Sequence, residues 1–213
     1  MGRKGFFITL EGGDGSGKTT VLGRVAAYLQ NRSMPYLITR EPGGIEIAEK
    51  IRSIILDPAH TAMDARTEAL LYAAARSQHL AEVVEPALKD GLTVLCDRFV
   101  DSSLVYQGFA RGLGIDEVWG INRFAIGNRM PDLTFYLDVD PEVGLSRISA
   151  NQEREVNRLD LESLAFHQKV REGYQLVNKA YPERIVVLDA NRPIHMVEQD
   201  IVRTLEDRVL KGF

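Results

Sequence analysis

The 213-residue chain has a single cysteine, Cys96, one tryptophan and four histidines. One cysteine excludes a disulfide framework within the chain, and a reducing, cytoplasmic setting fits that usage. His60, His79, His167 and His195 are scattered, with no metal-ligand spacing to one another or to Cys96. No apolar run approaches the length that crosses a bilayer, so no membrane partner is expected. The start, Met1-Gly2-Arg3-Lys4-Gly5 and a short apolar run, has the outline of a signal peptide, but Glu11 and the glycines cut it short. Phe6 also breaks the pattern that would make Gly2 a myristoylation site. Repeats and low-complexity segments are absent, and so is the guanine-selecting Asn-Lys-x-Asp: the nearest match, Asn178-Lys179-Ala180-Tyr181, lacks the acid. Net charge is −4, which argues against broad nucleic-acid binding and requires any phosphate-binding positives to be concentrated locally.

What is present is a soluble, globular composition, 45% hydrophobic and 26% charged, enough for one domain over residues 1–213. Its organising stretch is Gly12-Gly13-Asp14-Gly15-Ser16-Gly17-Lys18-Thr19. A strand-like run, Phe6–Leu10, precedes it and a helix-like run, Thr20–Arg32, follows. That is the context in which Gly-x-x-x-x-Gly-Lys-Thr makes a phosphate-binding P-loop. The glycines let successive backbone N–H groups point into one concavity, and the helix N-terminus adds its free N–H groups and its positive dipole end. Lys18 can reach the β- and γ-phosphates of a nucleotide, and the Thr19 hydroxyl can ligate Mg²⁺. A dinucleotide-binding loop would need glycine where Lys18 stands.

Periodicity predicts further strands at 36–39, 93–96, 133–137 and 184–188. Helices are expected at 45–56, 64–88, around 102–109, at 115–126, 141–149, 161–181 and 193–209, with Pro86 kinking or shortening the second of these. Alternating strands and helices imply an α/β fold, a parallel sheet with helices on both faces. Ligands of such sheets sit at the carboxyl ends of the strands. Asp97 ends the third predicted strand, the position of an acid that helps hold Mg²⁺ beside a P-loop, directly or through water; the alternative is a cap on the next helix. Arg98, Arg40, Arg52 and Arg76 lie at or near strand ends, where arginines could converge on a second phosphate. Tyr72 and Arg76 share a helix face and could stack on and bond to a base, with core packing the alternative for Tyr72. The polar stretch 151–160 carries Arg154 and Arg158, and in a phosphoryl-transfer enzyme it could be a lid bringing an arginine to the transferring group.

Glu11 to Thr20, Thr39-Arg-Glu-Pro-Gly-Gly44, Cys96-Asp-Arg-Phe99 with Asp101-Ser-Ser103, Tyr106-Gln107-Gly108, and Asn157-Arg-Leu-Asp160 together resemble bacterial thymidylate kinases, in register over nearly the whole chain. The resemblance implies a P-loop nucleoside-monophosphate-kinase-like fold, a five-stranded parallel sheet with a short lid near 150–160. It implies transfer of the γ-phosphoryl of ATP to dTMP with Mg²⁺, and a homodimer. Gly12, Gly13, Asp14, Gly15, Ser16, Gly17, Lys18 and Thr19 would bind ATP, with Thr19 and Asp97 on the metal side. Arg98 would hold the acceptor phosphate, Arg76 the thymine edge, and Tyr72 would stack where the family usually has phenylalanine. Ser103 and Gln107 would contact base and sugar, Glu41 and Arg52 would line the pocket, and Asp14 would lie near the 3′-hydroxyl. Some relatives carry a catalytic arginine where this chain has Gly15. Here the charge is expected from the lid, Arg158 first and Arg154 second. Two alternatives stay open: a P-loop kinase for another deoxynucleotide or nucleoside, and a nucleotide-dependent switch.

Overall fold

The structure is a computed structural model that describes residues 5–150 and 158–209. Five parallel strands form one sheet in the order β2-β3-β1-β4-β5. They are β1 (Phe7–Gly12), β2 (Tyr36–Arg40), β3 (Thr93–Asp97), β4 (Leu133–Asp138) and β5 (Ile185–Asp189). The fold class is the expected α/β type. β1 lies in the middle, paired on one side with β3 (Leu10 opposite Asp97) and on the other with β4 (Gly12 opposite Leu137). Between β1 and its neighbours the strand order reverses, so the P-loop leaves the sheet at the crevice where ligands of such folds bind.

The pleat sorts side chains onto two faces. Ile8, Leu10, Leu95, Phe135 and Leu137 pack on one face against α1 (Lys18–Asn31) and α9 (Ile194–Arg208), which contribute Val21, Val25, Leu29, Val197, Ile201 and Leu205. Phe7, Val94, Cys96 and Tyr136 face the other way. They meet Val100, Leu104, Val105, Val118, Val170 and Tyr174, from α5 (Val100–Ser103), the segment after it, α6 (Ile115–Ile126) and α8 (Leu164–Ala180). Each of these side chains contributes about 1.5–3 kcal/mol by leaving water. Thr9 and Glu11 also point to this second face, and that puts a carboxylate under the functional cleft.

Two helices depart from the expected simple periodicity. The pattern over 64–88 is α3 (Ala65–His79), a widened π turn at Leu80–Val84, and α4 (Glu85–Lys89). Pro86 has no N–H to donate, and the turn opens just before it, with Glu85 N–H bonding back to Leu80 O. The segment expected around 102–109 is α5 continued by a second π turn, Leu104–Ala110, closed by Arg111 N–H on Tyr106 O. The extra width brings Ser102, Ser103, Tyr106 and Gln107 to the wall of one pocket. α2 (Glu46–Leu56) and α7 (Pro141–Ala150) lie close to the lengths expected for them. Among the described residues no helix is long and apolar enough to cross a membrane.

Candidate active site

A cavity of about 520 Å³ opens over the strand ends, lined by Asp14, Gly15, Gly17, Lys18, Thr19, Arg40, Arg52, Tyr72, Asp97, Arg98 and Arg147 among others. A smaller pocket adjoins it, lined by Glu41, Tyr72, Arg76, Arg98, Ser102, Ser103, Tyr106, Gln107 and Leu159. Tyr72 and Arg98 belong to both, so the two spaces share a wall.

The P-loop forms the floor of the larger space. Gly15 and Gly17 have φ of 73° and 91°, a left-handed backbone that glycine takes without steric cost. A Cβ on Gly15 would also stand 2.1 Å from the carbonyl oxygen of Gly144 on α7. The loop is therefore seated on α7, and no side chain fits at position 15. Lys18 folds back onto the loop, Nζ donating to Gly12 O at 3.1 Å and Gly13 O at 3.0 Å. Burial, with the nearby positive charge of Arg98, lowers its ammonium to about 8. Thr19 Oγ1 donates to Asp97 Oδ2 at 3.4 Å, while the buried Asp97 Oδ1 has no hydrogen-bond partner among the described residues. A hydroxyl and a carboxylate with a spare oxygen are hard oxygen donors of the kind Mg²⁺ takes beside nucleotide phosphates.

Arg98 stands between the two spaces. Its φ of 69° is left-handed, uncommon for a residue with a Cβ, and it turns the side chain back over the end of β1. Nη1 donates to Gly12 O at 2.9 Å, Ser102 Oγ at 3.2 Å and Tyr174 Oη at 3.4 Å. Nη2 donates to Asp14 Oδ1 at 2.7 Å and Tyr106 Oη at 3.3 Å. Beneath it the Glu11 carboxylate accepts from Phe99 N–H, Ser102 Oγ and Tyr174 Oη at 2.7, 2.6 and 2.8 Å. Because both hydroxyls donate to Glu11, their lone pairs are left to face Arg98. Burial and the neighbouring Asp101 push the Glu11 carboxyl up to about 7, against the pull of Ser102, Arg98 and Tyr174.

The smaller pocket is built around Arg76, which is fully buried. Its Nε donates to Glu41 Oε2 at 2.7 Å, Nη1 to Ser103 Oγ and Asn122 Oδ1, and Nη2 to Phe99 O at 3.0 Å. Glu41 is fixed in turn by His79, whose Nδ1 donates to Oε1 at 2.9 Å. Gln107 Nε2 donates to Glu68 Oε1 at 2.8 Å. Half-buried Tyr72 lines both spaces rather than joining the core, and desolvation pushes its phenol up to about 12. Arg52 donates to Pro42 O at 3.0 Å and Arg40 pairs with Glu49 at 2.6 Å, both at the rim of the cleft.

The two arginines expected in a lid are the exception to this convergence. Arg154 lies outside the described residues. Arg158 is buried and does not line the cleft: Nη2 pairs with Glu68 and Nε donates to Ile55 O at 2.9 Å. In this position Arg158 does not reach the phosphate cleft expected for it: among the described residues its bonds tie the end of the stretch expected as a lid to α2 and α3. Its neighbour Leu159 is the residue that faces the cleft. Arg147 of α7 lines the cleft instead, reaching Gly15 O at 3.5 Å and Ala190 O at 3.1 Å. Sequence reading passed over Arg147, Glu11, Tyr106, Tyr174, His79 and Glu68. Of these Glu11 and Tyr106 carried a signal, each as part of a recognised motif.

A P-loop, an acid beside its threonine, and an arginine between a phosphate cleft and a side pocket define a P-loop phosphotransferase of the nucleotide-kinase type. Comparison with known proteins gives the particular family. A family model described as Thymidylate kinase matches residues 10–201. The chain is 59% identical over 205 residues to a thymidylate kinase of Geobacillus thermodenitrificans, covering 96% of this chain and 91% of that one. It is 62% identical over 198 residues to one from Clostridium novyi (93% and 97% covered) and 59% identical over 207 residues to one from Bacillus velezensis (97% and 98%). The chain belongs to the thymidylate kinase family.

Proposed function

We propose that the chain transfers the γ-phosphoryl group of ATP to the phosphate of dTMP, giving ADP and dTDP. The observation that carries this reading is Arg98, held by five hydrogen-bond acceptors at the junction of the P-loop cleft and the side pocket. An acceptor whose base fills the side pocket would present its phosphate to Arg98 and, beyond it, to Lys18. Phosphoryl transfer needs little covalent chemistry from the protein; positioning and charge neutralisation do most of the work. The acceptor is an ionised phosphate, so no general base is assigned.

In this reading Lys18 and the loop amides neutralise the donor phosphates. Thr19 and Asp97 would hold Mg²⁺, which would screen the charge on those phosphates. Tyr72 would stack on the base, Arg76, Ser103 and Gln107 would address base and sugar, and Glu41 and Arg52 would shape the pocket. Asp14 ties the P-loop to Arg98 and faces the sugar. The positive charge for the transferring group would come from Arg147 and the lid residue Arg154, with Arg158 anchoring the lid. We also propose a cytoplasmic homodimer, in which a second copy covers some of the apolar side chains exposed on α2, α3 and α6, such as Ile47, Leu70 and Phe124; sedimentation at micromolar concentration tests the dimer. The test of the activity is a panel of nucleoside monophosphates with ATP and Mg²⁺, in which dTMP should give the highest kcat/KM. A purine acceptor exceeding dTMP would overturn the proposal.

A further inference from the structure

Gln107 has one amide and two ways to present it. Its Nε2 donates to Glu68 Oε1, and among the described residues its Oε1 accepts no hydrogen bond while the side chain lines the smaller pocket. Swapping the two ends of an amide costs nothing sterically, so some neighbour must choose between them. Glu68 is that neighbour. It is buried at the start of α3 and also accepts from Arg111 and Arg158. Burial alone would raise its carboxyl, but the bond from Gln107 and the charges of Arg111 and Arg158 outweigh burial, and the net shift is downward. An ionised carboxylate only accepts hydrogen bonds, so Gln107 must turn its NH₂ toward Glu68 and its carbonyl toward the pocket.

Arg76 completes the pattern. Of its five N–H groups four are directed at Glu41, Ser103, Asn122 and the Phe99 carbonyl, which leaves one on Nη2. Between them Gln107 and Arg76 therefore offer one acceptor and one donor. A thymine or uracil edge offers the complement, a donating N3–H beside an accepting O4. Cytosine reverses both, with an accepting N3 beside a donating amino group.

We propose that Glu68 is a positioning residue that sets the amide orientation of Gln107 and thereby makes the acceptor site select a 4-oxo pyrimidine over a 4-amino pyrimidine. The proposal rests on the reading that the acceptor base occupies this pocket. Its rival is that Glu68 serves only to neutralise Arg111 and Arg158, a structural role that would affect every acceptor alike.

The experiment measures kcat/KM for dTMP and for dCMP in the full chain, its Glu68→Gln and Gln107→Leu variants, and the double variant. Glutamine at 68 can donate as well as accept and no longer dictates the orientation. Glu68→Gln should lower the dTMP-to-dCMP ratio by about tenfold or more, the scale of one misdirected buried hydrogen bond, with KM for ATP unchanged. In the Gln107→Leu background the same substitution should leave the ratio where it is, because Glu68 acts through Gln107. Equal losses on both acceptors, or a further fall in the ratio without Gln107, would overturn the proposal. If Gln107→Leu itself leaves the ratio unaltered, the base-pocket reading falls and the proposal with it. If Gln107→Leu lowers the ratio and Glu68→Gln does not, the proposal alone falls. Should Glu68→Gln not fold, Glu68→Asp keeps the charge for both arginines while shortening the reach to Gln107; a lowered ratio supports the proposal and an unchanged one overturns it.

Discussion

Replacing Arg158 by alanine separates two roles that the chain's sequence leaves together. Arg158 stands at the end of the stretch proposed as a lid, where an arginine could close on the transferring phosphoryl group, yet its guanidinium is buried against Glu68 and the Ile55 carbonyl. Removing one partner of a buried ion pair costs about 3–5 kcal/mol when the other is left uncompensated. Glu68 keeps Arg111 at 3.3 Å and Gln107 at 2.8 Å, so it is only partly orphaned. The expected loss is therefore nearer ~2 kcal/mol, a shift of roughly 4–8 °C in Tm for a chain of this size. An arginine acting on the transferring group is worth about 10³–10⁵ in kcat. An anchor of the lid should cost less than about tenfold, through looser closure. Thermal unfolding and steady-state kinetics at saturating ATP and dTMP, on the same Arg158→Ala preparation, decide between them. A kcat lowered about 10³-fold with Tm unchanged would refute the anchoring argument and return Arg158 to the phosphates.

Tyr174→Phe removes the hydroxyl that links Glu11 to Arg98; it should weaken dTMP several-fold but leave thymidine, which has no phosphate, bound as before. Calorimetry with both ligands checks this, and equal losses would mean that Tyr174 supports the fold rather than Arg98. Lys18, lowered to about 8 by burial, is partly neutral above that pH in the free chain and regains its proton beside phosphate. Binding of a non-hydrolysable ATP analogue should therefore take up protons and weaken as pH rises through about 8, read as a buffer-dependent heat near pH 8.5; a heat independent of buffer ionisation would contradict it. Gly15→Ala places a Cβ 2.1 Å from Gly144 O at a φ of 73°. It should destabilise the chain by about 1 kcal/mol or more and weaken ATP more than dTMP, measured by denaturant unfolding and competitive binding. A variant as stable as the parent would show that α7 yields easily.

The P-loop was legible because its chemistry is contiguous: strand, glycines, lysine and helix follow one another, and each can be read from its neighbours. The inner strands β1, β3 and β4 were legible for a related reason, since a buried parallel strand is a continuous apolar run, and the half-exposed edge strands β2 and β5 still carry a short apolar run. Asp97 and Arg98 stood out as polar residues ending such a run. The break in 64–88 was half visible, in Pro86, but a proline does not say whether a helix will bend or widen. Position in the sequence could not reveal what Arg98 rests on. Its support comes from Glu11, 91 residues from Ser102 and 163 from Tyr174, and Tyr174 sits on α8 with the spacing of an ordinary core residue. The setting of Arg158 was hidden for the same reason. A charge in a polar stretch looks free until Glu68, 90 residues away, is seen to hold it.

The central claim is that the cleft over the P-loop passes phosphate to an acceptor in the side pocket. Following the γ-phosphoryl of radiolabelled ATP tests it most directly. With dTMP and Mg²⁺ present, the label should appear in dTDP in step with ADP, and should stay in ATP when dTMP is left out. Label released as inorganic phosphate at the same rate with and without dTMP would contradict the account.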